Sequence, residues 1–468
     1  MNILFLPELI ICMTLLVVLG VDLFIPSRHQ PKLYLVSLAG VILAFLAVVY
    51  LWSSGKEGAM FYQFFLADNF AYFIKALILI TVFFVLIISY PYQPLSESKY
   101  LAEYQFLLLG ATLGMFLLVS AQNLLMIFLA LELVGIASYI LVGFIRKDVL
   151  SNEAAIKYFL IGTFSSGIMI FGMSLFYGLT GDISLFDLGG KISQGPLVIF
   201  SLLCITAGLG FKISLVPFHF WAPDAYQGAP TPITAFLSLA PKMAGLAIIL
   251  RFFDTFIPLD KINFNLLFAF LAAVTMTVGN LMAIQQTNIK RLLAYSSIAQ
   301  IGYLLVGFVV VDSFGKQGMM VYLTAYLFTN LGAFSCVIAV SNKLFSNEIK
   351  DYAGLAHRSL GLALMMFVFL LSLAGLPPMG GFLGKFLVFG SAIKTGYLWL
   401  AVFGILNSVV SVYYYFRVVY RMFFQFPADQ NRLVVSPVIN LVIAVSGIMV
   451  LLIGLYPNPL IQLISWWK

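Results

Sequence analysis

The sequence predicts an all-α polytopic membrane protein with about fourteen transmembrane helices. Of the 468 residues, 62% are hydrophobic and only 9% are charged, and the mean hydropathy is +1.06. Soluble globular domains do not have this composition. Apolar runs of roughly 20 residues, the length that crosses a bilayer core, follow one another along the chain and are separated by short polar connections.

The apolar runs define the predicted spans in chain order. They cover residues 4–25, 33–52, 70–90, 102–119, 123–144, 155–179, 197–226, 231–254, 264–284, 292–311, 317–342, 361–395, 399–424 and 436–456. The first run lacks a basic segment before it, contains Glu8 and has no small-residue cleavage site, so we expect a retained helix. The connections are too short to hold a large soluble domain.

Prolines interrupt two of the spans: Pro217 and Pro223 in 197–226, and Pro377 and Pro378 in 361–395. Proline removes a backbone donor and clashes with the preceding helical turn. An interrupted helix at membrane depth is tolerated only inside protein or beside a cavity. Interrupted helices in corresponding halves of a transporter indicate its ion site.

The two interrupted spans divide the chain into halves of about five helices each. We predict an N-terminal segment of three helices at 1–101, a first half at 102–254, a second half at 264–424 and a C-terminal helix in 436–468. The interruptions differ in one respect, because Lys212 precedes the prolines of its span whereas Lys385 follows those of its own.

Basic residues are more frequent in the connections on one side of the predicted membrane. Arg146 with Lys147 and Lys290 with Arg291 occur on that side, whereas single lysines such as Lys56 occur on the other. This asymmetry predicts that both termini lie on the outer side. The net charge of +7 is dispersed between hydrophobic runs, so topology explains it better than a nucleic-acid partner.

Five ionisable residues lie inside apolar stretches: Glu132, Lys157, Lys212, Lys242 and Lys385. Because charges at membrane depth are costly, such residues usually have a function. A row of them predicts a path for protons or other small cations. His219, just past the first interruption, either relays a proton between lysines or hydrogen-bonds the freed backbone.

The candidate partners of Glu132 are Lys157 and Lys212. Opening and closing of such a pair at low effective dielectric would change the proton affinity of the lysine by several kcal/mol, which makes a workable switch. A structural ion pair between two helices is the alternative. Lys75 falls near a span end, where it can reach the interface, and we assign it no role.

Sequence signals for a cofactor are lacking. Cys12, Cys204 and Cys336 are far apart, and the chain has three scattered histidines and no glycine-rich nucleotide loop. We therefore predict that the chain itself binds no metal or redox cofactor and that any redox chemistry takes place elsewhere.

Two long motifs resemble a known family. The run VPFHFWAPDAYQGAPTPITAFLSLAPKMAG, and the run SLAGLPPMGGFLGKFLVFGSAI followed by NSVVSVYYYFRVVYRMFF, are similar to the subunit N family of bacterial NADH–quinone oxidoreductase, respiratory complex I. The resemblance covers nearly the whole chain. It implies fourteen core helices with two inverted five-helix repeats, each containing a discontinuous helix.

The resemblance also implies a function. Members are proton-translocating subunits of an NADH:quinone oxidoreductase in the bacterial cytoplasmic (inner) membrane, with K-like and M-like membrane-arm neighbours. NADH, FMN, iron–sulfur clusters and quinone are bound elsewhere in the complex. The family's functional glutamate corresponds to Glu132, its accompanying lysine to Lys157, and its other three functional lysines to Lys212, Lys242 and Lys385.

Three other functions are compatible with parts of the sequence. A subunit of a multisubunit cation/proton antiporter or membrane-bound hydrogenase would use the same charged row without quinone reduction. A structural scaffold between pump subunits would need the charges for assembly alone. A solute transporter would need a substrate pocket at the interruptions, where the sequence offers little polar variety.

Overall fold

The computed structural model describes residues 3–24, 32–96, 99–185, 195–256, 264–310, 312–427 and 431–465, and the side chains of 254–256 are outside this description. By internal packing the chain forms two units. Unit 1 comprises Met1–Tyr90, Pro94–Ser214 and Phe218–Phe264; unit 2 comprises Pro91–Gln93, Leu215–Pro217 and Asn265–Lys468.

The chain to residue 256 contains ten described α-helices and one β-hairpin. The elements are α1 (Leu6–Asp22), α2 (Leu33–Ser53), β1 (Gly58–Met60), β2 (Phe65–Ala67), α3 (Asn69–Ser89), α4 (Gln93–Ser96), α5 (Leu101–Val119), α6 (Leu124–Val142), α7 (Val149–Thr180), α8 (Pro196–Ile213), α9 (Trp221–Gly228) and α10 (Thr231–Leu250), which continues as a π-helical turn (Arg251–Phe256). Side-chain caps start several of these helices, since Asp68, Asn123 and Asp148 accept hydrogen bonds from the first-turn amides of α3, α6 and α7.

Nine described α-helices follow from residue 264 onwards. They are α11 (Phe264–Ile284), α12 (Ile289–Val309), α13 (Ser313–Leu344), α14 (Leu355–Arg358), α15 (Leu360–Ala374), α16 (Gly380–Lys394), α17 (Leu398–Phe424), α18 (Pro437–Leu455) and α19 (Asn458–Leu463), with a 3₁₀ turn at Ile349–Tyr352. Both units contain a 32-residue helix, α7 in one and α13 in the other. Inverted repeats and the four predicted segments stay predictions.

The predicted multi-helix membrane architecture is confirmed. Within the described ranges, thirteen helices are long and apolar enough to cross a membrane. The remaining predicted span, 361–395, consists of the shorter helices α15 and α16 on either side of its proline pair. The span predicted at 197–226 is also divided, because α8 ends at Ile213 and α9 begins at Trp221.

The hairpin is a small β element that the all-α prediction did not contain. Its strands pair antiparallel, and β2 continues into backbone hydrogen bonds with the α5–α6 connection, including Leu66 N to Ser120 O at 2.8 Å. Phe5, just before α1, packs edge-on against Phe61 and Phe65, with ring centroids 5.3 Å apart in both pairs. The start of α1 and the hairpin therefore lie at one end of unit 1, called here the hairpin end.

Candidate functional site

Lys212 lies in the last turn of α8, where the first interrupted span breaks. Its side chain is 3% exposed, and its Nζ makes no hydrogen bond to the described residues. The negative charge of Glu132 is near enough to act on the ammonium electrostatically, although the two groups are not in direct contact. Lys212 is thus a buried amine at the interruption, with no hydrogen-bond partner among the described residues.

Aromatic side chains close the break after α8. Trp221 at the start of α9 donates its indole N–H to the carbonyl of Phe211, 2.9 Å away, and its ring stacks on Tyr158 with centroids 4.2 Å apart. The indole satisfies one of the carbonyls that the end of α8 leaves without a helical partner. This aromatic wall holds the lysine-bearing end of α8 in place.

Lys242 lies on α10, which is buried along its whole length. Its side chain is 2% exposed, and its Nζ sits 5.6 Å from the centroid of the Tyr226 ring. α10 approaches α8 closely, since a Cβ at Gly245 would lie 2.7 Å from a side-chain carbon of Ile213. The structure therefore places Lys212 and Lys242 on two packed helices of unit 1.

Glu132 lies on α6 and is partly exposed. It accepts a short hydrogen bond from the Ser166 hydroxyl on α7. Its neighbours Leu129 and Leu133 are also exposed on this helix. Ser166 was not predicted as a site residue, and its signal in the sequence is a serine pair in an otherwise apolar span.

Lys157 is not where the sequence analysis expected it. Its side chain is 45% exposed and pairs with Glu153 at 2.7 Å and with Asp224 at 3.1 Å, so its prediction as a buried partner of Glu132 is wrong. The physical reason is that α7 begins at Val149, which puts Lys157 near a helix end. Glu153, at the i−4 position, was the available sequence signal.

The Lys157 ion-pair cluster borders a cavity of about 40 Å³, formed where the first turns of α7 meet the end of α9. Its polar lining consists of Glu153, Lys157, Asp224 and Gln227.

His219 lies in the interruption between α8 and α9. It is 6% exposed, and its ring lies 4.4 Å from that of Phe220. The role of His219 as a relay stays a prediction.

Lys385 caps the second interrupted helix. The ammonium, carried by α16, turns back and donates to the carbonyls of Leu373 and Ala374 at 3.0 and 3.1 Å. These are the last carbonyls of α15, where the helix dipole favours a cation. Nζ also lies 4.3 Å from the centroid of the Tyr303 ring, and the side chain is 4% exposed.

A buried hydrogen-bond network surrounds Lys385 within unit 2. Gln300 donates to the same Leu373 carbonyl at 2.9 Å and accepts from the Tyr322 hydroxyl. Asn280 donates to the Tyr303 hydroxyl at 2.8 Å. The network was not predicted from the sequence, where its signal is the polar run SSIAQIGY in a transmembrane helix.

Lys75 also differs from its sequence interpretation. It is 0% exposed and pairs at 2.6 Å with Glu8, which is likewise 0% exposed, so the expectation that it reaches the interface is wrong. The hairpin explains its burial, because Phe65 of β2 lies against the ammonium.

The described residues contain no group of three or more histidine, cysteine, aspartate or glutamate side chains that could hold a metal ion. The three cysteines are free.

Comparison with known proteins identifies the family. Residues 121–411 match the family described as NADH:quinone oxidoreductase/Mrp antiporter, TM. The NADH-quinone oxidoreductase subunit N of Trichlorobacter lovleyi is 41% identical over 97% of this chain and 94% of its own length. The chain belongs to the subunit N family.

Two solved structures share the fold of this chain. A chain of respiratory complex I from Thermus thermophilus with bound aureothin has a TM-score of 0.83 and 31% identity, over 97% of this chain and 98% of that one. A chain of the Mrp complex from Dietzia sp. DQ12-45-1b has a TM-score of 0.89, over 100% and 97%. With 20% identity, the second similarity shows the shared fold alone.

Proposed function

We propose that this chain translocates protons as a membrane-arm subunit of an NADH:quinone oxidoreductase, using Glu132, Lys212, Lys242 and Lys385. Three lysines buried to 2–4% exposure inside apolar helices are the observation that carries the proposal. Groups of this kind in a membrane protein mark ion pathways. The complex and the redox reaction that drives transport are inferred from the subunit N relatives. In this proposal the redox cofactors are bound by other subunits.

The buried lysines differ in their contacts. Lys385 donates to two carbonyls and lies against an aromatic face, whereas the Nζ of Lys212 makes no hydrogen bond to the described residues. A displacement of Glu132 changes the free energy of the charged form of Lys212 without breaking any hydrogen bond of the lysine. Glu132 therefore controls whether Lys212 holds or releases its proton.

The Lys157 cluster supplies the proton-uptake side in this proposal. Its carboxylates are partly exposed, and it lies at the end of unit 1 opposite the hairpin end, because α7 begins there. The basic residues Arg146 and Lys147 precede this end of α7, which assigns it to the cytoplasm under the positive-inside rule. The hairpin end and both termini then face outward from a bacterial cytoplasmic membrane, with K-like and M-like neighbours in the membrane.

Lysine substitutions in the assembled complex test the proposal. Membrane vesicles carrying Lys212→Ala, Lys242→Ala or Lys385→Ala should oxidise NADH in the presence of an uncoupler but move fewer protons per NADH. Loss of a positioned proton-transfer group slows such a step by about 10²–10⁴-fold. Proton uptake and NADH oxidation are measured on the same vesicles.

The exposed Lys343 at the end of α13 provides the matched control. Lys343→Ala should retain the wild-type ratio of protons to NADH. Wild-type ratios in all three buried-lysine variants would contradict the proposal. Purification with other membrane subunits but without NADH oxidation would indicate a cation/proton antiporter instead.

A further inference from the structure

The Glu8–Lys75 ion pair is a buried charged site outside the predicted lysine row. Glu8 lies in the first turn of α1 and Lys75 in the second turn of α3, and their charged atoms are 2.6 Å apart. Both side chains are 0% exposed, and neither makes a further hydrogen bond to the described residues. An ion pair buried with so little hydrogen-bonding support is a poor source of stability, so stability alone does not explain its presence.

The pair lies between the hairpin end and the depth of Lys242. α3 packs against α10, and Asp68 before α3 is joined to Arg251 after α10 at 2.8 Å. Counting from this junction at 1.5 Å per residue, the backbone of Lys75 lies about 10 Å deep and that of Lys242 about 13 Å deep. The backbones of the two lysines therefore start from similar depths on adjacent helices, while the Lys242 side chain leans toward Tyr226 and the start of α10.

The side chain of Lys75 extends from that depth toward the hairpin end. Helical side chains lean toward the N-terminus of their helix, and α3 starts at the hairpin end. The ammonium lies 4.7 and 5.7 Å from the ring centroids of Phe65 and Phe116 and pairs with Glu8. The pair thus leads from the interior of unit 1 toward its hairpin end.

A hydroxyl continues this direction. Tyr72 lies on the same helix as Lys75, one turn nearer the hairpin end. Its hydroxyl donates to the backbone carbonyl of Lys56 at 2.6 Å, in the connection that leads into the hairpin. The Lys75 amine, the Glu8 carboxylate and the Tyr72 hydroxyl therefore lie between the interior of unit 1 and the loop that contains Lys56.

We infer that Glu8 and Lys75 form the proton-release site of unit 1, an inference that rests on the proposed function. The Lys75 ammonium transfers one proton to the Glu8 carboxylate, giving a neutral amine and a carboxylic acid. Glu8 then releases that proton at the hairpin end and regains its negative charge. Lys75 takes its next proton from the lysine row, so charge and protons balance over the cycle.

Two substitutions separate proton exchange from structural pairing. Lys75→Arg keeps the positive charge, but a guanidinium does not release its proton in proteins. Glu8→Gln combined with Lys75→Met removes both charges and leaves no unpaired ion. Both variants should assemble and oxidise NADH with an uncoupler at the wild-type rate. Both should lose as many protons per NADH as Lys242→Ala loses.

The neighbouring Asp68–Arg251 pair supplies the control, because it already contains a non-titrating arginine and needs only its charge. Arg251→Lys should retain wild-type proton translocation. Wild-type translocation in Lys75→Arg or in the double variant would overturn the inference. Failure of both variants to assemble would overturn it too, since the pair would then be a structural connection. If Lys242→Ala also retained wild-type proton translocation, the proposed function itself would be contradicted.

Discussion

At the scale of single residues, the two lysines at the interruptions are held in different ways. Lys385 satisfies carbonyls left open at the end of α15, so its positive charge stabilises the break. Lys212 lies in the last turn of α8 itself. There the indole of Trp221, and not the lysine, donates a hydrogen bond to the Phe211 carbonyl. Because the indole takes over that structural task, Lys212 can change its charge without loss of a backbone contact.

Lys157 should contribute little to stability. Its ion pairs with Glu153 and Asp224 are partly exposed to solvent, and such surface pairs contribute about 0–1 kcal/mol. We expect Lys157→Ala to lower the free energy of unfolding by no more than about 1 kcal/mol, which corresponds to a few degrees in thermal midpoint. Thermal unfolding of the purified complex in detergent measures the shift. A loss of ten degrees would show that the cluster has a structural role.

The sequence identifies ionisable residues more reliably than their partners. Lys212, Lys242 and Lys385 are buried as predicted, because long apolar runs flank them on both sides. The pairing of Lys157 with Asp224 could not be predicted, since Asp224 reaches it only through the placement of α9 against α7. The burial of the Glu8–Lys75 pair could not be predicted for a similar reason. Both residues lie near the ends of their spans, and the hairpin covers them.

At the scale of elements, the interrupted helices concentrate the chemistry. Backbone at a helix end has unpaired carbonyls that attract cations, and in a membrane these carbonyls must find partners within the protein. The break after α15 uses Gly375 in a left-handed conformation, with φ +82°, to turn the chain. A Cβ at Gly375 would lie 2.7 Å from the Cδ of Lys385, so the glycine also provides the space that the lysine occupies.

Gly375→Ala should therefore disturb the Lys385 site. Backbone strain at positive φ costs roughly 1–2 kcal/mol, and the methyl group would push the ammonium away from Leu373 and Ala374. We expect reduced stability together with fewer protons moved per NADH. Gly396→Ala is the matched control, because Gly396 has φ +89° and no neighbouring atom within 4 Å. Equal loss of proton translocation in both variants would show that strain alone is responsible.

The sequence predicted the number and order of spans well and their ends less well. Apolar length identifies a span, but α7 and α13 extend beyond the apolar runs predicted at 155–179 and 317–342. Polar residues near the start of α7, such as Asn152 and Glu153, are tolerated there, since a helix that leaves the hydrocarbon region no longer needs an apolar face. The hairpin was missed because its strands are only three residues each.

At the scale of the whole molecule, exposed apolar side chains cover the outer faces of several helices. Examples on α7 are Phe159, Leu160 and Phe164, which are 49–71% exposed. Surfaces of this kind belong in lipid or against other membrane subunits. Glu132 is partly exposed close to them, and a carboxylate is costly in hydrocarbon, so we expect a neighbouring subunit to cover this part of α6 in the complex.

Orientation in the membrane is a property of the whole chain that the basic residues predict. Tyr62, at the tip of the hairpin, is 99% exposed. Lys147, also exposed, follows the far end of α6. α6 has 19 residues and a length of about 28 Å, enough to put the two positions on opposite sides of a bilayer core. They therefore report which side each end of unit 1 faces.

Single cysteines at these positions test the orientation in a variant whose Cys12, Cys204 and Cys336 are replaced. In right-side-out vesicles, a membrane-impermeant maleimide should label Tyr62→Cys at once and Lys147→Cys only after permeabilisation, because the basic end of α7 is predicted to face the cytoplasm. Inside-out vesicles should give the reverse pattern and serve as the control. If Lys147→Cys were labelled first from outside, the uptake and release sides proposed for Lys157 and for Glu8 with Lys75 would have to be exchanged, because both assignments depend on this one orientation.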